Sequence, residues 1–121
     1  MTTEIFKNEM LSAEQLDLVV GGVDQDEVDS EFFKQLGYNT ARTYIGNAFA
    51  DNGVIYSAGL FIWSKNTYKI RTSNGYEKMP HWAVLGYVLS KRNYPGFNGS
   101  WTDSNYVKAF IKDNFGINNI D

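Results

Sequence analysis

The apolar pattern of this chain changes period twice, and that change limits its fold more than any other feature. Ala41, Tyr44, Ile45, Ala48 and Phe49 recur at the i, i+3, i+4, i+7, i+8 spacing that places one stripe of an α-helix in a core. Further on, Tyr68, Ile70 and Thr72 alternate with Lys69 and Arg71, the two-residue period of a strand buried on one face. Beyond Pro80 the helical spacing returns with Trp82, Leu85, Val88 and Leu89, which give this segment more than one apolar side. Helices on both sides of a short stranded segment, in a chain of 121 residues, predict a single small α+β domain. A doubly wound sheet would need strands and helices in alternation.

Local punctuation sets the expected boundaries. Asp24, Asp26, Glu27 and Asp29 suit a helix N-terminus, Val28, Phe32, Phe33 and Leu36 continue it, and Gly37 is a natural stop. Asn39 can cap a second helix that Asp51-Asn52-Gly53 ends. Val54 to Trp63 reads as a short apolar strand before a turn at Ser64-Lys65-Asn66. Asn74-Gly75 signals a hairpin; a two-residue turn there would oppose Arg71 to Lys78, which leaves a longer loop as the other option. Helices are predicted over His81 to Lys91 and Ser104 to Phe115, the latter with Tyr106, Phe110 and Ile111 inward. Asp103 stands at its start, Lys108 and Lys112 lie towards its end, and Gly116 stops it. Residues 117–121 read as a frayed tail.

Composition removes several classes of chemistry. Without cysteine there are no disulfides, thiolate nucleophiles or thiolate-ligated metals, and His81 is the one histidine. No phosphate loop, HExxH or EF-hand pattern occurs, so no cofactor and no metal ligand is assigned. The net charge is −3 without a basic run, which argues against nucleic acid as the main partner. No stretch approaches the roughly 20 apolar residues of a membrane-spanning helix, and the mixed, acidic start lacks the basic and apolar regions of an ordinary secretory signal.

The first twenty-two residues differ in composition from the remainder of the chain. Residues 1–22 hold one aromatic residue, Phe6, and carry Glu4, Glu9, Glu14 and Asp17 against Lys7; ten acids and ten bases remain in residues 23–121. On a helix, Ile5, Leu11, Leu16 and Val19 fall within an arc of about 140°, with Lys7, Glu14 and Asp17 on the other side. Leu11-Ser12-Ala13-Glu14-Gln15-Leu16-Asp17-Leu18-Val19-Val20-Gly21-Gly22 resembles the double-glycine leader of bacteriocin precursors and peptide pheromones, whose pattern is LSxxELxxIxGG. Leu11, Ser12, Leu16, Gly21 and Gly22 match, Val19 replaces the usual isoleucine, and Gln15 replaces glutamate. The resemblance implies an amphipathic leader helix over residues 1–22 and a mature secreted domain over 23–121. It also implies a partner, the cysteine peptidase domain of an ABC exporter, that cuts between Gly22 and Val23 as the cytoplasmic precursor leaves the cell. Gly21-Gly22 is expected to stop the leader helix and pass through a narrow protease cleft.

In residues 23–121 the residues that tempt a catalytic reading are His81 with Glu77 four positions before it, and the carboxylate pairs Asp103 with Glu77 or Asp51 with Glu31. Nothing in their spacing selects one, so no catalytic residue is assigned. The loop Tyr94 to Trp101 mixes aromatics with Asn and Gly, a composition that suits sugar or protein binding. Its aromatics can equally fold back to complete a small core, and we favour that reading. The expected function is a secreted bacteriocin-like or intercellular protein acting on a cell-surface target; the alternative is a small secreted enzyme, such as a cell-wall hydrolase.

Overall fold

A computed structural model of the chain describes residues 21–38, 45–59, 65–118 and 120. The leader positions Leu11, Ser12, Gln15, Leu16 and Val19, the expected cap Asn39, Ala41 and Tyr44, residues 60–63 of the expected first strand and Ser64 of the turn after it lie outside the described residues.

The fold is a small α+β domain with elements in the order α1 (Gly21–Gln35), α2 (Ile45–Asp51), β1 (Val54–Ser57), β2 (Thr67–Thr72), β3 (Gly75–Met79), α3 (His81–Lys91) and α4 (Ser104–Phe115). The strands form an antiparallel sheet in the order β1-β2-β3. Alternation along β2 buries Tyr68 and Ile70 and exposes Lys69 and Arg71, as the two-residue period predicts. The helices cover the inner face, where Phe32 and Phe33 of α1, Phe49 of α2, Leu85 and Leu89 of α3 and Ile111 of α4 meet Val54, Tyr68 and Ile70. Much of the core is aromatic: Phe33 packs edge-on against Phe32, Tyr38 and Phe49, and Phe49 stacks on Tyr56. Large rings bury more area per residue than aliphatic side chains, which suits a domain this small.

Helix ends obey their local chemistry. At the end of α1, Gly37 adopts φ +95°, its N–H donates to Lys34 and that of Tyr38 to Phe33, while the Tyr38 and Phe33 rings touch. This is the Schellman arrangement, which satisfies carbonyls the helix leaves open. The same pattern ends α3, with Asn93 at φ 51° in the left-handed position and Tyr94 donating to Leu89. Asp103 caps α4 by accepting from the Tyr106 N–H at 3.2 Å. Both α3 and α4 occupy the ranges read from the sequence.

Four expectations need correction. Gly21 and Gly22 are helical, in the first turn of α1, rather than a helix stop. The acidic residues that follow support a helix through this stretch. The hairpin pairs Thr72 with Gly75 and Arg71 with Tyr76, so Arg71 does not face Lys78; the like-charged pair is Lys69 with Lys78. The reason is the turn: the loop residues are Ser73 and Asn74, which keep negative φ, and Gly75, paired with Thr72, takes φ +103°. Val107, Ile111 and Phe115 are the buried face of α4, and Tyr106 is only half-buried, against Phe97. The tail is docked: Ile117 and Ile120 are buried in the core.

Helices α3 and α4 pack closely at Gly86, where a Cβ would lie 2.8 Å from Val107 Cγ2. Alanine is the better helix former, so a solvent-facing Gly86→Ala would stabilise. Here it should instead cost about 1–3 kcal/mol, because the crossing must open to admit the methyl group. Urea unfolding measures it, and a stabilised variant would show that the contact is loose.

Candidate functional site

The most buried polar cluster joins three elements. Asp29 comes from the middle of α1, Tyr68 from central strand β2 and His81 from the first residue of α3. His81 Nε2 and Asp29 Oδ1 are 2.6 Å apart, and the Tyr68 hydroxyl donates to Asp29 Oδ2 at 2.8 Å. The Tyr68 and His81 rings stack, with centroids 4.8 Å apart and planes 10° from parallel. Asp29 and Tyr68 are at 0% and 1% exposure and His81 at 4%, so the cluster is almost wholly buried.

Burial sets its electrostatics. It pushes the Asp29 carboxyl above the ordinary carboxylate range, against the opposing pull of the His81 and Tyr68 hydrogen bonds and the His81 charge. Burial, reinforced by the neighbouring Asp29, also holds the Tyr68 hydroxyl protonated far above its usual range. One proton therefore bridges Asp29 and His81, and Tyr68 supplies a second fixed donor to the same carboxyl.

A second polar knot borders the first. Gln25 Oε1 accepts from the Asn66 N–H at 2.8 Å, and Asp26 Oδ1 accepts from Asn66 Nδ2 at 2.7 Å and from the Tyr56 hydroxyl at 2.9 Å. Asn66 Oδ1 accepts in turn from the Gly59 N–H. These bonds pin α1 to the entrance of β2, where an open cleft of about 380 Å³ is walled by Gln25, Lys65, Asn66 and Lys78, with Tyr68 and His81 at its base.

The bonds of this cluster clamp α1, β2 and α3 together. An imidazole that activates a hydroxyl or thiol nucleophile is hydrogen-bonded to it. Among the described residues His81 hydrogen-bonds Asp29 alone. Its sequence neighbour Glu77 stands on exposed β3 and accepts from the Thr72 hydroxyl instead. The proposed carboxylate pairs are given separate local roles: Asp103 caps α4 and Glu31 accepts from Gln35. No cluster of three or more His, Asp or Glu suited to a metal ion occurs among the described residues.

The aromatic loop folds back. Tyr94 lies against Phe110 and Phe115, Phe97 against Tyr106 and Phe110, and Trp101 against Tyr87, all part-buried at the rim of the core. Of the expected leader residues, Gly21, Gly22 and Val23 lie in the first turn of α1; the recognition positions are outside the described residues. Asp29, the acid that completes the cluster, reads in the sequence only as part of an acidic helix start. No protein-family model, curated protein or solved structure matches this chain.

Proposed function

We propose that residues 1–22 are a detachable export leader, cut between Gly22 and Val23 by the cysteine peptidase domain of an ABC exporter. Residues 23–121 are then the exported domain, a bacteriocin-like or intercellular protein that acts on a cell-surface target. The observation that carries this reading is the Leu11 to Gly22 motif together with the change of composition at its end, from one aromatic residue in residues 1–22 to an aromatic-rich remainder.

The site of cutting has a physical requirement. A protease cleft takes extended backbone, so the first turn of α1 must open before Gly22–Val23 can enter. Two glycines make that turn the easiest part of the helix to open, since each weakens a helix by about 1 kcal/mol relative to alanine. Incubation of the chain with such a peptidase domain, followed by intact mass, should give one product beginning at Val23. Gly22→Val should abolish it, because a β-branched side chain enters a cleft built for bare backbone. A different N-terminus, or no cleavage of a chain that binds the peptidase, contradicts the proposal.

A small secreted enzyme is the second reading, favoured by His81, which lines an open cleft and is paired behind it with Asp29. The two separate on cell-wall substrate. Fragment release by the wild type that disappears in a folded His81→Gln variant supports the enzyme; growth inhibition without fragments supports the binding protein.

A further inference from the structure

The sheet has two unlike faces. The inner one carries Val54, Tyr68 and Ile70 into the core. The outer one carries Ile55 from β1, Lys69 and Arg71 from β2, and Tyr76 and Lys78 from β3, all exposed. The other outward positions, Ser57 and Thr67, are uncharged, so among the described strand residues three cations stand on this face without an acid. Residues 23–121 balance ten acids with ten bases, so this is segregation of charge rather than a basic protein.

Two features of the face work against stability. Lys69 is directly opposite Lys78, and neither has an ion pair among the described residues. Like charges in that position destabilise a strand pair. Ile55 and Tyr76 are the exposed large hydrophobics of the described residues, at 43% and 53% exposure. Arg71 holds the Tyr76 ring on this face, donating to its hydroxyl at 3.1 Å with the guanidinium 5.4 Å from the ring centroid.

Size and chemistry select the occupant. Three short strands at about 4.8 Å spacing and about 3.4 Å per residue present roughly 200–300 Å². That is well under the ~800 Å² per partner of a stable protein interface. A soluble phosphodiester polymer would answer the cations but offers Ile55 nothing apolar. A bilayer surface answers both: basic side chains meet anionic headgroups, and Tyr with an aliphatic residue sits at the boundary with the acyl chains.

We infer that the outer face of the sheet docks on anionic lipid bilayers through Lys69, Arg71 and Lys78, with Ile55 and Tyr76 at the headgroup boundary. This docking uses described residues alone and does not depend on leader cleavage. The test uses the full chain, sedimented with vesicles of equal parts phosphatidylglycerol and phosphatidylcholine, or of phosphatidylcholine only. Binding should require phosphatidylglycerol and weaken with salt.

The decisive variant is Lys69→Glu. It turns a like-charged pair into an opposite one, so its heat-unfolding midpoint should equal or exceed that of the wild type. Its vesicle affinity should nevertheless fall roughly twenty- to thirtyfold, the effect of two charges at an anionic surface. Lys112→Glu on α4 makes the same charge change off the face and should fall far less. Tyr76→Ala and Ile55→Ala should weaken the binding that survives at high salt. Absence of wild-type binding, or equal losses for Lys69→Glu and Lys112→Glu, would overturn the inference. So would insensitivity to Ile55→Ala and Tyr76→Ala combined with equally tight binding of soluble polyphosphate, which would make the ligand a polymer.

Discussion

Asp29→Ala should lower the free energy of unfolding by about 3–5 kcal/mol, whereas Asp29→Asn should cost only about 1 kcal/mol. The alanine removes the Asp29 partner of both His81 Nε2 and the Tyr68 hydroxyl in a buried site, and each lost buried bond costs about 1–3 kcal/mol. Asparagine keeps the shape and both bonds: its amide donates to His81 where the shared proton lay, and its carbonyl accepts from Tyr68. The raised Asp29 carboxyl sets the sign of the pH dependence. Folding favours its protonated form, so the stabilisation is fully present below the ordinary value of 3.8 and is lost as pH rises through the folded value. The stability of the wild type relative to Asp29→Asn, which does not titrate, should therefore grow on acidification. Urea titrations of both proteins at several pH values measure it. A deficit that shrinks on acidification would mean the carboxylate form is the one the fold prefers.

Phe33→Ala should be comparably damaging, at about 3–5 kcal/mol. Phe33 is fully buried and meets Phe32, Tyr38 and Phe49 edge-on, with the Phe49 centroid 4.8 Å away. Its loss opens a cavity between α1 and α2 and removes the ring contact that closes the end of α1. For a domain of this size that corresponds to a fall in melting temperature of roughly 15–30 °C. Phe33→Leu keeps most of the volume and should cost about 1–2 kcal/mol. A small effect of the alanine variant, measured by calorimetry, would show that neighbouring rings collapse into the space.

What the sequence makes legible is local. The bounds of α3 and α4 come from Pro80, Asp103 and Gly116, each acting within a turn of its own position. The fate of the Tyr94 to Trp101 loop is readable because its aromatics outnumber what an exposed loop of a small domain needs. The hairpin turns on Ser73 and Asn74 rather than on Asn74 and Gly75, so the partner of Arg71 is Tyr76, two positions from Lys78, and Gly75 takes the left-handed conformation as the first residue of β3. The docked tail escapes a sequence reading because Ile117 and Ile120 show no period; the core they meet is supplied by distant segments.

The candidate site is half legible. His81 draws notice, but its partner lies 52 residues earlier on α1, and spacing along a chain says nothing about such a contact. Glu77, near in sequence, faces elsewhere. The basic sheet face is invisible for a related reason. A cationic face is legible along one helix, whereas Lys69, Arg71 and Lys78 come from two strands and converge only through the register.

The division at Gly22 is the claim on which the functional account stands, and heat unfolding of residues 23–121 beside the full chain tests it most directly. All described buried side chains are retained in the shorter protein, including Gln25, whose carbonyl holds the Asn66 N–H. Cleavage places a new ammonium group at the start of α1, which opposes the helix dipole by about 0.3–1 kcal/mol. The account predicts one cooperative transition within a few degrees of the full chain. A molten or aggregating product would mean that residues 1–22 belong to the core, and would contradict the reading of them as a detachable leader.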